Sequence, residues 1–186
     1  MSELRFDAQA SKLTIETTAT GMLAKLAHDL SIVARSLRAQ ATIEGQRFTI
    51  EVDVPVGELE VDGVRKHGVV DRGTLSASDK AEIQRKMRDE VLGGGTIVAR
   101  AEGTLPEGAL EGAGVSLDVT AKVERASRTE SVRSKLSLKP SAERITAEGR
   151  FTVHLPALGI APIKGPLGAF RVNDDIHVDV ALVFTR

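Results

Sequence analysis

Apolar and polar residues alternate with a period of two along most of this 186-residue chain, the spacing of strands that turn one face to a core and the other to water. Arg47 to Val56 sets Phe48, Ile50, Val52, Val54 and Val56 against Thr49, Glu51 and Asp53. Val115 to Glu124 sets Val115, Leu117, Val119, Ala121 and Val123 against Ser116, Asp118, Thr120, Lys122 and Glu124. Ile145 to His154 and Ile176 to Phe184 repeat the pattern, and Lys12 to Thr17 carries a shorter version with Leu13 and Ile15 inward. Weaker strands are expected at Leu30 to Glu44, Thr96 to Gly103 and Thr129 to Lys139, for a total of about eight. Eight antiparallel strands with one apolar face can cover it by closing into a barrel, whose interior is filled by side chains or holds one small ligand. A two-sheet sandwich is the competing arrangement.

Two helices are expected to interrupt the strands. Ser76 to Leu92 carries Ile83, Met87 and Val91 at four-residue spacing, with Asp79 and Glu82 near its start and Gly93 just past its end, so stripe and caps agree. It should lie across the barrel with one face buried. Gly21 to His28 reads as a short helix with Met22, Leu23 and Leu26 on its apolar side, covering one barrel end. Gly93 to Gly95 follow a helix rather than precede one, which makes them a cap and turn and not a phosphate loop. Gly103 to Gly114, with Pro106, reads as a surface loop.

Composition narrows the interior. Trp and Tyr are absent and only five Phe are present, so the core lacks the large rings that usually supply much of the buried area. Val, Ile, Leu and Ala must either close tightly or leave room for something. Cysteine is absent, which removes disulfides, thiolate metal sites and a cysteine nucleophile. A formal charge of −1 with both signs scattered is not the footprint of a nucleic-acid binder. No apolar run has the length of an integral membrane span. The N-terminus lacks a basic segment leading into an apolar one, so the expectation is a cytoplasmic protein, folded as one domain over residues 1–186.

Catalytic chemistry finds no foothold. His28 and Asp29 are adjacent, but one such pair supplies neither a nucleophile nor a third metal ligand, and a hydrogen-bonding role at the helix-to-strand corner is expected. His67, His154 and His177 are dispersed. Arg65 to Arg72 and the cluster Arg125, Arg128, Arg133 and Lys135 read as solvated faces, with contact to an anionic headgroup as their functional alternative. No catalytic residue, metal site or resident cofactor is expected.

The order of short motifs is more specific. His28-Asp29-Leu30 leads into a strand through Ala39 and Ile43; Thr74-Leu75-Ser76-Ala77-Ser78-Asp79 opens the longer helix; Thr96-Ile97-Val98-Ala99-Arg100 follows the glycine turn. Near the C-terminus come Gly149-Arg150-Phe151-Thr152-Val153-His154-Leu155, then Leu158-Gly159-Ile160, then Val172-Asn173-Asp174-Asp175-Ile176-His177-Val178. In these motifs and their order the chain resembles the YceI-like family along nearly its whole length. The resemblance implies an all-β, eight-stranded antiparallel, lipocalin-like barrel with one short and one longer helix. It also implies an apolar ligand, a polyisoprenoid or isoprenoid quinone, held inside without chemistry. Its lining would come from Phe48, Ile50, Val119, Phe151, Val153, Val178, Val180, Leu182 and Phe184, with Met22, Leu23 and Leu26 near an opening. The rival reading is a packed barrel without a lipid, acting through homodimerisation or a protein partner.

Overall fold

The last strand holds the sheet together. In a computed structural model describing residues 2–21, 28–112, 114–165 and 168–186, the strands are β1 (Ser2–Phe6), β2 (Lys12–Glu16), β3 (Ala19–Thr20), β4 (Leu30–Ala34), β5 (Arg38–Glu44), β6 (Arg47–Pro55) and β7 (Leu59–Lys66). They continue as β8 (Val69–Asp71), β9 (Thr96–Thr104), β10 (Val115–Arg125), β11 (Arg128–Pro140), β12 (Arg144–His154), β13 (Arg171–Val172) and β14 (Asp175–Thr185). One edge of β14 pairs with β12 over its full length; the other pairs with β1 near its C-terminal end and with β2 along its first half. The ring β1-β5-β6-β9-β10-β11-β12-β14 is thereby closed, an eight-stranded antiparallel barrel, and β2-β4-β7-β8 extends from β14 as a second wall at the other end.

Paired registers show how few long strands build both ends. β4 with β5, and β6 with β7, form one long hairpin that turns at Gly45 and bends at residues 35–37 and 56–58. The single strand expected from Leu30 to Glu44 is therefore broken at that bend, where Leu37 is buried. Among the described residues five strands lie outside the expected set, the short β3, β8 and β13 together with β1 and β7. β1 is too short to show a period, and β7 is disguised by a bulge that opposes Ile32 to Val61 and Ser31 to Gly63, which shifts its apolar residues by one position. The segment read as a basic loop, Arg65 to Arg72, is the end of β7, a tight turn at His67 and Gly68, and β8.

Helix α1 (Ala77–Lys86) runs on through a wider helical turn at Met87–Leu92 and stops at Gly93, whose φ of 70° is the left-handed conformation expected there. Ser76 caps its start reciprocally with Asp79: the Asp79 N–H donates to Ser76 Oγ at 3.1 Å, and Ser76 N–H donates to Asp79 Oδ2 at 3.1 Å. The apolar face of this helix turns inward as expected, but it is half-buried and none of its residues is fully buried. Ile83, Met87 and Val91 are half-buried and line the cavity, with Met87 and Val91 also packed against the buried clusters around it. The short helix expected at Gly21 to His28 falls mostly outside the described residues. No described helix is long and apolar enough to cross a membrane.

The cap makes a stability prediction. Ser76→Ala should cost about 0.5–2 kcal/mol, read as a lower urea midpoint. Hydrogen bonds from Ser76 hold the Asp79 carboxyl below its ordinary value of 3.8. A depressed folded value contributes stability above the ordinary one and loses it as pH falls through the folded one, so the gap between wild type and Ser76→Ala should narrow in acid.

Candidate ligand cavity

β14 records the change of interior along the barrel. Its inward residues Leu182 and Phe184 are buried, whereas Val178 and Val180 are only half-buried although they face inward too. Around Phe184 the closed ring is packed: Phe48, Leu105, Leu138 and Ala147 are buried there, and the Phe6 and Phe184 rings meet at 5.6 Å between centroids. A void of about 20 Å³ remains in this floor, about room for one water.

Above the floor the walls do not meet. A cavity of about 510 Å³ lies between β2, β4, β6, β9, β12, β14 and the helix. Interiors seldom leave voids much larger than a water, and an aliphatic cavity of roughly 150 Å³ already binds benzene. The present one is within the range of roughly 300–1,000 Å³ typical of ligand sites. Leu13, Ile15, Leu30, Ile32, Val52, Val54, Ile97, Ala99, Val153 and Val178 line it from the strands, and Ile83, Met87 and Val91 from the helix. No carboxylate lines it among the described residues, while His28, Lys86 and Lys164 do so and are exposed, which places them where the cavity meets solvent. Arg100 also borders it, with its guanidinium turned to Glu51 on the outer face.

The expected lining residues divide into three groups. Ile50, Phe151, Val153, Val178, Val180 and Leu182 line the cavity together. Phe48 and Phe184 belong to the floor, where they border the small void, and Val119 is buried in the same cluster. Met22, Leu23 and Leu26 lie outside the described residues. Leu13, Ile15, Val52 and Val54, which the alternation already places on inward faces, line the cavity as well. Ile163 and Phe170 reach the cavity from a loop without periodicity, so no alternation marks them.

The corner after residue 28 is held by Asp29, whose Oδ1 accepts from the Ala19 N–H at 2.9 Å and whose carbonyl accepts from the Arg65 N–H at 2.7 Å. His28 lies beside it at the cavity rim. Arg125 is no solvated charge: its Nε donates to Leu92 O at 2.9 Å and its Nη1 to Leu158 O at 3.1 Å. It thus satisfies carbonyls that the helix end leaves without partners and ties that end to the 3-10 turn Leu155–Leu158.

Comparison with known proteins places the fold. No protein-family model matches the chain, and no curated protein does. Among solved structures, the chain is similar to a polyisoprenoid binding domain from Saccharophagus degradans implicated in plant cell wall breakdown, with a TM-score of 0.66 and 13% identity over 98% of this chain and 97% of that one. It is also similar to BcnA of Burkholderia cenocepacia, with a TM-score of 0.64 and 13% identity over 96% of this chain and 98% of that one. The eight-stranded, lipocalin-like architecture is the one implied by the resemblance of the motifs.

The packed floor can be tested apart from any ligand. Phe48 lies over Gly103 on the neighbouring strand, and a Cβ at that position would stand 2.6 Å from Phe48 Cε1 and 2.8 Å from Cζ. Gly103→Ala should therefore destabilise by about 1–3 kcal/mol through overpacking. Urea denaturation should find part of that loss recovered in Gly103→Ala with Phe48→Leu. A single variant as stable as wild type would mean that the floor is loose.

Proposed function

We propose that this protein is a YceI-like carrier that binds one long apolar molecule of the polyisoprenoid or isoprenoid-quinone class in its cavity, without catalysing a reaction. The single observation that carries this reading is the cavity of about 510 Å³ with its aliphatic walls. The polyisoprenoid-binding domain of similar fold supports it from outside the chain.

Binding in such a site is burial. Each methylene taken out of water contributes roughly 0.8 kcal/mol, so a few isoprene units offset the cost of holding the ligand still without any charged contact. Basic groups at the rim and the absence of carboxylates in the described lining suit a ligand whose polar end is neutral or anionic and stays at the mouth. The described lining is apolar apart from Thr17, His28 and a few basic side chains, which supports binding without chemistry. A fully packed barrel acting through a partner is disfavoured by the same cavity.

Val180 separates the two readings experimentally. Its side chain faces the cavity midway along β14. Val180→Phe puts a ring into open space, and the variant should lose less than about 1 kcal/mol of stability where a packed core would lose about 1–3 kcal/mol. Titration with farnesol, followed by displacement of an apolar fluorophore, should show saturable binding to wild type and at least about a tenfold loss in the variant. A destabilised variant, together with no binding of farnesol to wild type, would sink the proposal.

A further inference from the structure

Phe151 stands in the cavity wall, yet its ring lies back along its own strand over Gly149. A Cβ built at position 149 would meet Phe151 Cε2 at 2.8 Å and Cζ at 3.2 Å, and the Lys135 carbonyl oxygen at 3.3 Å. Glycine is not needed there by the backbone. Residue 149 is in the middle of β12, paired with Leu136 on one side and Val180 on the other, and its φ lies outside the left-handed region. A glycine inside a strand weakens it unless something must approach closely, and here the close neighbour is the Phe151 ring.

What the ring would do otherwise follows from the register. Phe151 is opposite Val178, Gly149 opposite Val180, and Ala147 opposite Leu182 at the floor. A ring forced off residue 149 has packed strand behind it and the cavity before it, at the level of Val178 and Val180. It would part the lower cavity, bordered by Ile50, Leu136 and Leu182, from the mouth. The floor contains the same pairing in Phe48 over Gly103, but there the ring borders a void of only about 20 Å³, too small to take it.

We propose that Gly149 is a specificity-determining residue: by letting the Phe151 ring lie against the wall, it sets how deep a ligand chain reaches and so the longest chain the cavity accepts. This deepens the ligand-binding reading above and rests on it.

The test is a pair of variants against two prenyl alcohols, geraniol and the longer geranylgeraniol. Gly149→Ala should bind geranylgeraniol at least about tenfold more weakly than wild type and bind geraniol within about threefold of it. Gly149→Ala with Phe151→Ala should restore the longer alcohol. Unchanged binding of geranylgeraniol by Gly149→Ala, or an equal loss of both alcohols, would overturn the proposal. Crystal structures of Gly149→Ala without added alcohol decide the point even if wild type binds neither alcohol, an outcome that would count against the ligand-binding reading itself. A Phe151 ring turned into the cavity supports the role of Gly149, and a ring still lying over residue 149 refutes it.

Discussion

Pairing of β14 with β12 on one edge and with β1 and β2 on the other determines the width of the interior, and the rest of the molecule follows from what can fill that width. An eight-stranded ring is just wide enough for side chains to meet across it. Where Phe6, Phe48 and Phe184 are available they do meet, and the floor closes. Where the inward rows offer Val, Ile, Leu and Ala, as at Val52, Val54, Ala99 and Val178, the side chains are too short, and the space between them becomes a cavity. Second-wall strands β2, β4 and β7 enlarge this end further by carrying the hairpin past the bend at residues 35–37.

A wall that is not packed from within must be held by other means. At the level of Val178 and Val180 the outer face carries Glu16, which takes Arg65 at 3.0 Å and Arg150 at 2.6 Å, while Arg150 also reaches Asp179 at 2.8 Å. Single exposed pairs contribute little, but these join β2, β7, β12 and β14, and the Glu16 side chain is only 14% exposed. Arg125 performs a similar service for the helix by holding its last carbonyls to the barrel. The helix can then present Ile83, Met87 and Val91 to the cavity while leaving them only half-buried.

Legibility of the fold followed the regularity of alternation more than strand length, since β11, the longest at 13 residues, was among the weaker expectations. β6, β10, β12 and β14 span nine to eleven residues with nearly unbroken alternation, and their placement and inward faces could be read directly. β1 was too short, and β7 hid behind its bulge at Ser31 and Ile32. Within the site, alternation identified Ile50, Phe151, Val153, Val178, Val180 and Leu182 as inward, and they do line the cavity. It could not tell them from Phe48 and Phe184, because the period says which way a residue points and nothing about how far away the opposite wall stands. That distance depends on ring closure and on where the few large side chains fall along the barrel. Arg125 escaped for a related reason, since its partners are carbonyls of Leu92 and Leu158, remote in sequence and without a side-chain signature.

The central claim is that the aliphatic interior between floor and helix is a binding space. A crystal structure of the protein grown with geranylgeraniol tests it most directly. The account predicts continuous density for the chain running from the rim at Lys86 and Lys164 down between Ile15, Phe151 and Val178 toward Leu182. Contradiction would be a helix collapsed into the barrel, with Ile83 and Met87 packed against Leu13 and Ile32 and no space left for a ligand.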